Sequence, residues 1–494
     1  MPKYSFLPLS VLCASLMVGC SSDDNRNSLV DDTVTDGNRL VNGSSGAVQI
    51  VHASPDAPAV NILIDGEGLD ALSNLNYSDS TGFVTLPVGE LMLTVEAGGA
   101  SVIESPFGVA SGEQATVLAI GEVSENDNEL DNLQLLNIGP SGNEDALPAG
   151  QSRLYITHAA PDAPEVDIYL VTPDISSIDN SQPGVPSLSY RSSTDPIPVP
   201  AGDYRILITP AGSNVIVFDS GSEPVNVPAG QEIIIAAVEN TGAAKAESPV
   251  NLLILNGTDT PTVLTDADSE AFVRVVHAAP DAPVVDVFAG EAGSGSATAI
   301  VEGLAYADVA PATDYLNVPS ASYDLAIAPA GEGVSMNVFN ENVGLGANVA
   351  YTAVATGFLN TTPEFTVLLG QDRTRSIANT SQVRIVHAAP IAPTVDVYAF
   401  PSAANVMESS ILDGSAGAPL LSGFQFGTVS DYLSIPTGTY DLFVVAGGAV
   451  AIEANDVQLN SGDIATVIAR GPNTDMAAGP NHTALIVLPF NNLD

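Results

Sequence analysis

One string of residues occurs four times and leaves little choice of architecture. Val48-Gln-Ile-Val-His-Ala-Ser-Pro-Asp-Ala-Pro-Ala-Val-Asn-Ile62 recurs as Leu154 to Ile168, Val273 to Val287 and Val383 to Val397. The histidines at its centre, His52, His158, His277 and His387, lie 106, 119 and 110 residues apart. A period of that size is a domain, so the chain must build one unit four times. A second landmark follows each copy: Leu86-Pro-Val-Gly, then Val-Pro-Ala-Gly-Asp-Tyr ending at Tyr204, Val-Pro-Ser-Ala-Ser-Tyr ending at Tyr323, and Ile-Pro-Thr-Gly-Thr-Tyr ending at Tyr440. An alternating strand comes next, then a turn around Gly112, Gly230, Gly346 or Gly462, then an apolar run such as Ala115 to Ile120 or Ile464 to Ala469. Turn signals every 8 to 12 residues or so, with roughly seven strands per hundred residues, predict an antiparallel sandwich.

The whole therefore reads as all-β, four tandem Ig-like antiparallel β-sandwich domains after a signal peptide and a flexible tether. The expected boundaries are 1–19 for the signal peptide, 20–46 for an acidic tether, and 47–140, 150–257, 270–371 and 381–494 for the four repeats. The 43 Gly and 35 Pro suit short strands between turns, and long helical bundles are excluded as the main architecture.

Within the motif, parity assigns faces. Val48, Ile50 and His52 share one side of a strand, as do Leu154, Ile156 and His158, then Val273, Val275 and His277, then Val383, Ile385 and His387. The histidine is thus expected on the core side, at the strand's end. The intervening Gln49, Tyr155, Arg274 and Arg384 vary and are expected to face solvent. Pro55 and Pro58, and their counterparts Pro161 and Pro164, Pro280 and Pro283, Pro390 and Pro393, fix φ and remove backbone donors, so each pair predicts a rigid corner where the chain leaves the sheet. Asp56, Asp162 and Asp281 follow the first proline, where a short carboxylate can accept nearby backbone N–H groups and lock the turn.

These residues resemble the bacterial domain-of-unknown-function family 4397, whose members begin Val-Arg-hydrophobic-Val-His-Ala-Ser-Pro-Asp-Ala-Pro-x-Val-Asp-Val. The likeness extends over all four units. It implies exported, often lipid-anchored or surface-associated β-rich proteins in tandem copies, with no established activity and no catalytic residues. Two departures stand out: Ile391 replaces the corner Asp in unit four, and Asn61 stands where Asp167, Asp286 and Asp396 stand in the others.

Lys3 followed by the short apolar run Phe6 to Val18 has the pattern of a secretory signal. Leu16-Met-Val-Gly-Cys20-Ser-Ser resembles the bacterial lipoprotein signal, in which the Cys is acylated, although Met17 sits where Leu is commonest. The resemblance implies a lipid anchor on Cys20, and Ser21 after it implies sorting to the outer membrane. Removal of the leader also removes Cys13, so no disulfide is possible within the mature chain and stability must come from core burial or bound ions. Ser21 to Gly46, rich in Ser, Asp, Asn and Gly, reads as a solvated tether.

Against 58 Asp plus Glu stand 12 Lys plus Arg, for a net charge of −46. Such a surface repels phosphate backbones, so nucleic acid is excluded as a partner. Several constellations invite chemistry. His158 with Asp162 and Asp167 combines ligand types suited to a divalent ion. Asp167, Asp286 and Asp396 with Tyr169, Phe288 and Tyr398 are expected to form an exposed polar and aromatic strip, a sugar or protein contact or simply cross-strand pairing. Glu122, Glu125, Asp127, Glu129 and Asp131 alternate through one loop, a calcium candidate without EF-hand register or a solvated run. His482 lies in a polar Gly-Pro-Asn-His turn with no evident partner. No nucleophile elbow, zinc-protease helix motif, phosphate loop or cysteine zinc pair occurs.

The sequence accordingly predicts a non-enzymatic, lipid-anchored envelope protein acting in adhesion, ligand binding or scaffolding. No catalytic residue, metal or cofactor is assigned, and its partners are the membrane through the anchor and a protein or polysaccharide ligand. Four units end to end are expected to reach roughly 150 Å. The rival is an exported enzyme or metal-dependent carbohydrate-binding protein using the repeated His and Asp.

Overall fold

In module one the first strand, β1 (Ser45–Ala53), carries Val48 and Ile50 inward, and the corner at Pro55 and Pro58 delivers the chain to β2 (Val60–Ile64) in the opposite sheet. The remaining strands are β3 (Glu67–Gly68), β4 (Ser80–Pro87), β5 (Gly89–Ala97), β6 (Ala100–Val109), β7 (Gln114–Ile120) and β8 (Gln134–Ile138). They form two four-stranded sheets, ordered β4-β1-β7-β8 and β3-β2-β5-β6. Val48, Ile50 and Val117 of the first sheet pack on Ile62, Leu93 and Val95 of the second. Modules two, three and four repeat the plan, with motif strands Gln151–His158, Ala271–His277 and Thr380–Ala388. The chain is thus four tandem β-sandwiches. This computed structural model describes residues 45–124, 131–139, 147–175, 177–178, 181–222, 224–471 and 484–489. The leader, Cys20, the tether up to residue 44, three acids of the acidic loop (Glu125, Asp127, Glu129) and His482 lie outside the described residues.

Two details depart from the sequence reading. Modules carry eight to ten strands, because edge strands break into short pieces: Val309–Ala310 and Leu316–Val318 both pair with one motif strand. One pairing per module is parallel, as in β1 with β7, where Ile50 faces Val117 and His52 faces Ala119. The same holds for Ile156 with Ile235, Val275 with Ala353 and Ile385 with Val467. The corner sends the chain to the other sheet, and it returns to the free side of β1 only after further crossings, now running the same way. Turn spacing cannot reveal that direction.

The larger correction concerns the outward face of the motif strand. Gln49, Tyr155, Arg274 and Arg384 do alternate with the core residues, but their exposures are 1%, 3%, 6% and 2%, not those of solvent-facing side chains. The motif sheets of modules one and two lie face to face, with Val51, Ala53, Leu118 and Ile120 packed among Tyr155, Ile234, Ala236 and Leu253. Modules three and four pair in the same way through Val276, Ala278 and Val354 against Val386, Ala388 and Ile468. Burial on both sides of the sheet explains why Ile233-Ile-Ile-Ala-Ala-Val238 has no polar alternation.

The two pairs also touch. Ala243 and Ala244 of module two pack on Phe272, Tyr315 and Ala350 of module three. The segment between modules three and four reaches module one, where Arg375 Nε donates to Pro55 O at 2.7 Å and the Ala378 N–H donates to Asp56 O at 2.8 Å. Modules one and four are therefore neighbours, and the end-to-end array expected from tandem repetition is overturned. Tandem order fixes covalent sequence, while burial of apolar sheet faces decides which modules meet. Among the described residues no helix is long and apolar enough to cross a membrane.

Candidate functional site

Each motif histidine sits where the strand ends and the corner begins, fully enclosed: His52, His158 and His277 are 0% exposed and His387 is 2%. His52 Nε2 lies 3.0 Å from Pro58 O, while its Nδ1 accepts the Ser54 N–H at 3.3 Å. His158 pairs likewise with Pro164 O at 2.9 Å and the Ala160 N–H at 3.4 Å. His277 engages Pro283 O and the Ala279 N–H, and His387 engages Pro393 O and the Ala389 N–H. Because Nδ1 accepts an amide proton it carries none itself, so the hydrogen resides on Nε2 and is donated to the proline carbonyl. Burial opposes the charged ring and lowers its pKa in every copy, for His52 to about 4 with the Arg375 guanidinium adding to the effect. The result is a neutral imidazole with both nitrogens committed to closing the corner, which leaves no lone pair free to ligate or to abstract a proton.

An aromatic edge completes each corner. Tyr77, Tyr190, Tyr306 and Phe426 stand against His52, His158, His277 and His387 at 5.9 to 6.3 Å between ring centroids, steeply inclined. Tyr77 then crosses to module two, donating its hydroxyl to Glu239 O at 2.6 Å, and Tyr306 does the same toward Gly471 O of module four. The corner thus anchors the module pair as well as the module.

The carboxylates are equally engaged, with partners that spacing did not suggest. Asp56 accepts the Ser54 hydroxyl of its own corner at 3.5 Å, but its backbone partners lie in another loop: Oδ1 accepts the Val123 N–H at 2.7 Å, and Oδ2 accepts the Ser124 N–H at 2.8 Å and its hydroxyl at 2.6 Å. That loop follows β7, and Gly121 admits it there at φ 85°, where a Cβ would collide with Asn132 O. Asp281 takes the Leu359 N–H of the matching loop at 3.0 Å. In module two the Asp162 backbone N–H bonds instead to the Glu239 carboxylate. Glu239 is half-buried, and burial, with Asp162 and Glu122 nearby, raises its pKa to about 8.

The expected exposed strip is also overturned. Tyr169, Phe288 and Tyr398 are 5%, 8% and 8% exposed, covered by Ile178, by Ala297 and Ala326, and by Ile411 respectively. Asp167 bridges two turns, accepting Ser187 N–H at 2.7 Å and Gly212 N–H at 2.9 Å. Asp286 does so with Gly303 and Gly331, both at 2.8 Å. Asp396 holds the Gly423 N–H at 2.7 Å, and Asn61 holds the Asn74 N–H at 2.8 Å, so the amide in module one serves the same purpose through its oxygen. His158, Asp162 and Asp167 do not converge on one point, and among the described residues no group of three or more His, Cys, Asp or Glu is placed to hold a metal.

Sequence reasoning missed the arginines. Asp372, with a fully buried side chain, lies between Arg274 of module three at 3.4 Å and Arg384 of module four. Tyr315 donates to Asp372 Oδ2 at 2.6 Å, and Thr352 donates to the same oxygen. Arg274 stacks on Tyr315 at 4.8 Å and Arg384 on Tyr432 at 4.9 Å. Arg375 on Tyr77 and Arg470 on Tyr306 repeat the device at 4.8 and 5.1 Å. In a chain with 12 Lys plus Arg, four of them spent between modules is the signal available in the sequence: Val-Arg-Val and Val-Arg-Ile place a cation inside an apolar strand.

The family model described as a domain of unknown function, DUF4397, matches residues 46–169, 271–398 and 402–485. The chain belongs to this family. The first DUF4397 match contains the His52 corner and runs on through the His158 corner, and the second contains those of His277 and His387. No curated protein matches the chain. Among solved structures, the Bacillus anthracis TIE protein is 10% identical, with 86% of this chain and 68% of that one covered at a TM-score of 0.15. The product complex of the multi-modular glycogen-degrading pneumococcal virulence factor SpuA is 9% identical, with 77% of this chain and 40% of that one covered at a TM-score of 0.15. Likenesses at that score bear on neither fold nor function.

Proposed function

We propose that this protein is a non-enzymatic, lipid-anchored component of the bacterial cell envelope, in which four DUF4397 modules act as a preassembled body for adhesion, ligand binding or scaffolding. The observation that carries the reading is the commitment of the repeated polar groups. Both nitrogens of each motif histidine are bonded to backbone of their own corner, and Asp56, Asp167, Asp281 and Asp286 are bonded to backbone of neighbouring turns. Chemistry needs a proton acceptor or ligand that is free to react, and these are spent on closure. The Cys20 signal supports the anchor, and the net charge of −46 supports a soluble, mutually repelling body at the membrane surface.

Radiolabelled palmitate fed to producing cells tests the anchor. Label on the wild-type chain that disappears in Cys20→Ser supports it, and label persisting in that variant removes it. Protease treatment of intact cells then separates a surface role from a periplasmic one. For the non-enzymatic part, His277→Ala is expected to lower the melting temperature; a variant that folds with unchanged stability yet loses a binding or catalytic activity would overturn the reading.

A further inference from the structure

Modules two and three differ at one edge. In module two, Val250–Leu255 is followed by a further strand, Thr262–Leu264, which pairs with it antiparallel and sets Leu264 opposite Leu252, packed on the module's core. In module three the corresponding strand, Thr366–Asp372, pairs with Ala350–Thr356 alone among the described residues. The chain leaves that edge at once: Arg373 bonds to Gln382, and Arg375 goes to Pro55 of module one. Module three also has Ala353 where module two has Ile235, both opposite the residue two before the motif histidine.

A void follows from the missing strand and the missing side chain. A cavity of about 70 Å³ lies between the sheets of module three, lined by Val287, Phe339, Val343, Ala353 and Val367. Its exposed lining residues, Glu341 and Leu369, mark its mouth, and Glu341 is the one charged residue of the lining. A free strand edge beside an apolar cavity is the arrangement that accepts an added strand, with main-chain bonds for affinity and an inserted side chain for specificity.

Arg384 of module four holds the far end of this strand, donating to Gln371 O at 2.7 Å, and we propose that the remaining edge, Thr366 to Leu369, takes up an extended peptide of a partner protein as an added antiparallel strand. The peptide carries a Leu-sized side chain that enters the cavity and a Lys or Arg two residues away, on the same face, that meets Glu341. Module two is the internal precedent, since it fills the same edge with its own Leu264. The proposal goes beyond the envelope reading and is independent of the anchor.

The test titrates the chain from residue 21 onward into a fluorescein-labelled peptide of residues 260–266 carrying Thr262→Lys, read by anisotropy. Saturable binding is expected. It should weaken at least about tenfold when the peptide carries Leu264→Asp and when the protein carries Ala353→Ile, which fills the cavity as Ile235 does. Glu341→Gln should weaken the Lys peptide and leave the Thr262 parent peptide unchanged. Should Ala353→Ile fail to fold, Leu369→Glu at the mouth provides the same test. Absence of saturable binding at about 1 mM protein overturns the proposal, as does binding indifferent to these variants. Self-association that Ala353→Ile abolishes also overturns it, in favour of a second copy as occupant. Displacement of a bound apolar dye by dodecylamine but not by the peptide overturns it in favour of a small amphiphile.

Discussion

The neutral, buried histidines make stability depend on pH in a calculable way. For His52 the pKa falls from 6.5 to about 4 on folding. Between those values the unfolded chain takes up a proton that the folded chain refuses, so stability is complete above about pH 6.5 and drains away as pH falls toward 4. A shift of about two and a half units corresponds to roughly 3 kcal/mol from this one corner. The measurement is urea unfolding at a series of pH values for the wild type and His52→Gln, which removes the titration. The variant should lose about 1 to 3 kcal/mol near pH 7.5, from the broken corner bonds. It should then lose roughly 3 kcal/mol less than wild type between pH 6.5 and 4. Parallel pH curves for the two proteins would refute the claim that the imidazole is held neutral by enclosure.

Two further outcomes follow from the interfaces. Glu239 has its folded pKa raised from 4.5 to about 8, so its contribution is intact below about pH 4.5 and is lost as pH rises through 8; Glu239→Gln should flatten the alkaline decline, by up to roughly 3 kcal/mol, in urea melts at pH 6 and 9. Asp372→Asn leaves Arg274 and Arg384 buried without their counter-ion and should cost about 3 to 5 kcal/mol. Replacing all three residues by apolar side chains of similar volume should recover most of that loss, and a melt in which the triple replacement is the weaker protein would count against the reasoning.

The sequence carries the inside of each module more fully than its outside. Period 2 in Val48, Ile50 and His52 identifies the core face, and the prolines identify the corner, because both are local consequences of backbone geometry. The same period says only that Gln49 and Arg384 point the other way; what lies opposite is decided by another module, and Arg384 meets Asp372 there. The unbroken apolar run from Ile233 to Val238 was the trace of that second burial. For the carboxylates the limit is distance along the chain. Asp56 binds Val123 and Ser124, and Asp167 binds Ser187 and Gly212, partners that no local spacing rule reaches.

Modules one and four are neighbours through one short stretch of chain. Asp56 O takes the Ala378 N–H, and the Asn379 N–H bonds to the Ser461 hydroxyl, so the corner of module one and a turn of module four share one short segment. Single-molecule energy transfer between dyes on Ala59→Cys and Ser461→Cys, in a chain starting at residue 21, reads that distance in solution. Near-complete transfer is the predicted result. Modules strung in series would hold the dyes more than about 80 Å apart, two intervening modules of about 40 Å each, and transfer close to zero would contradict the account.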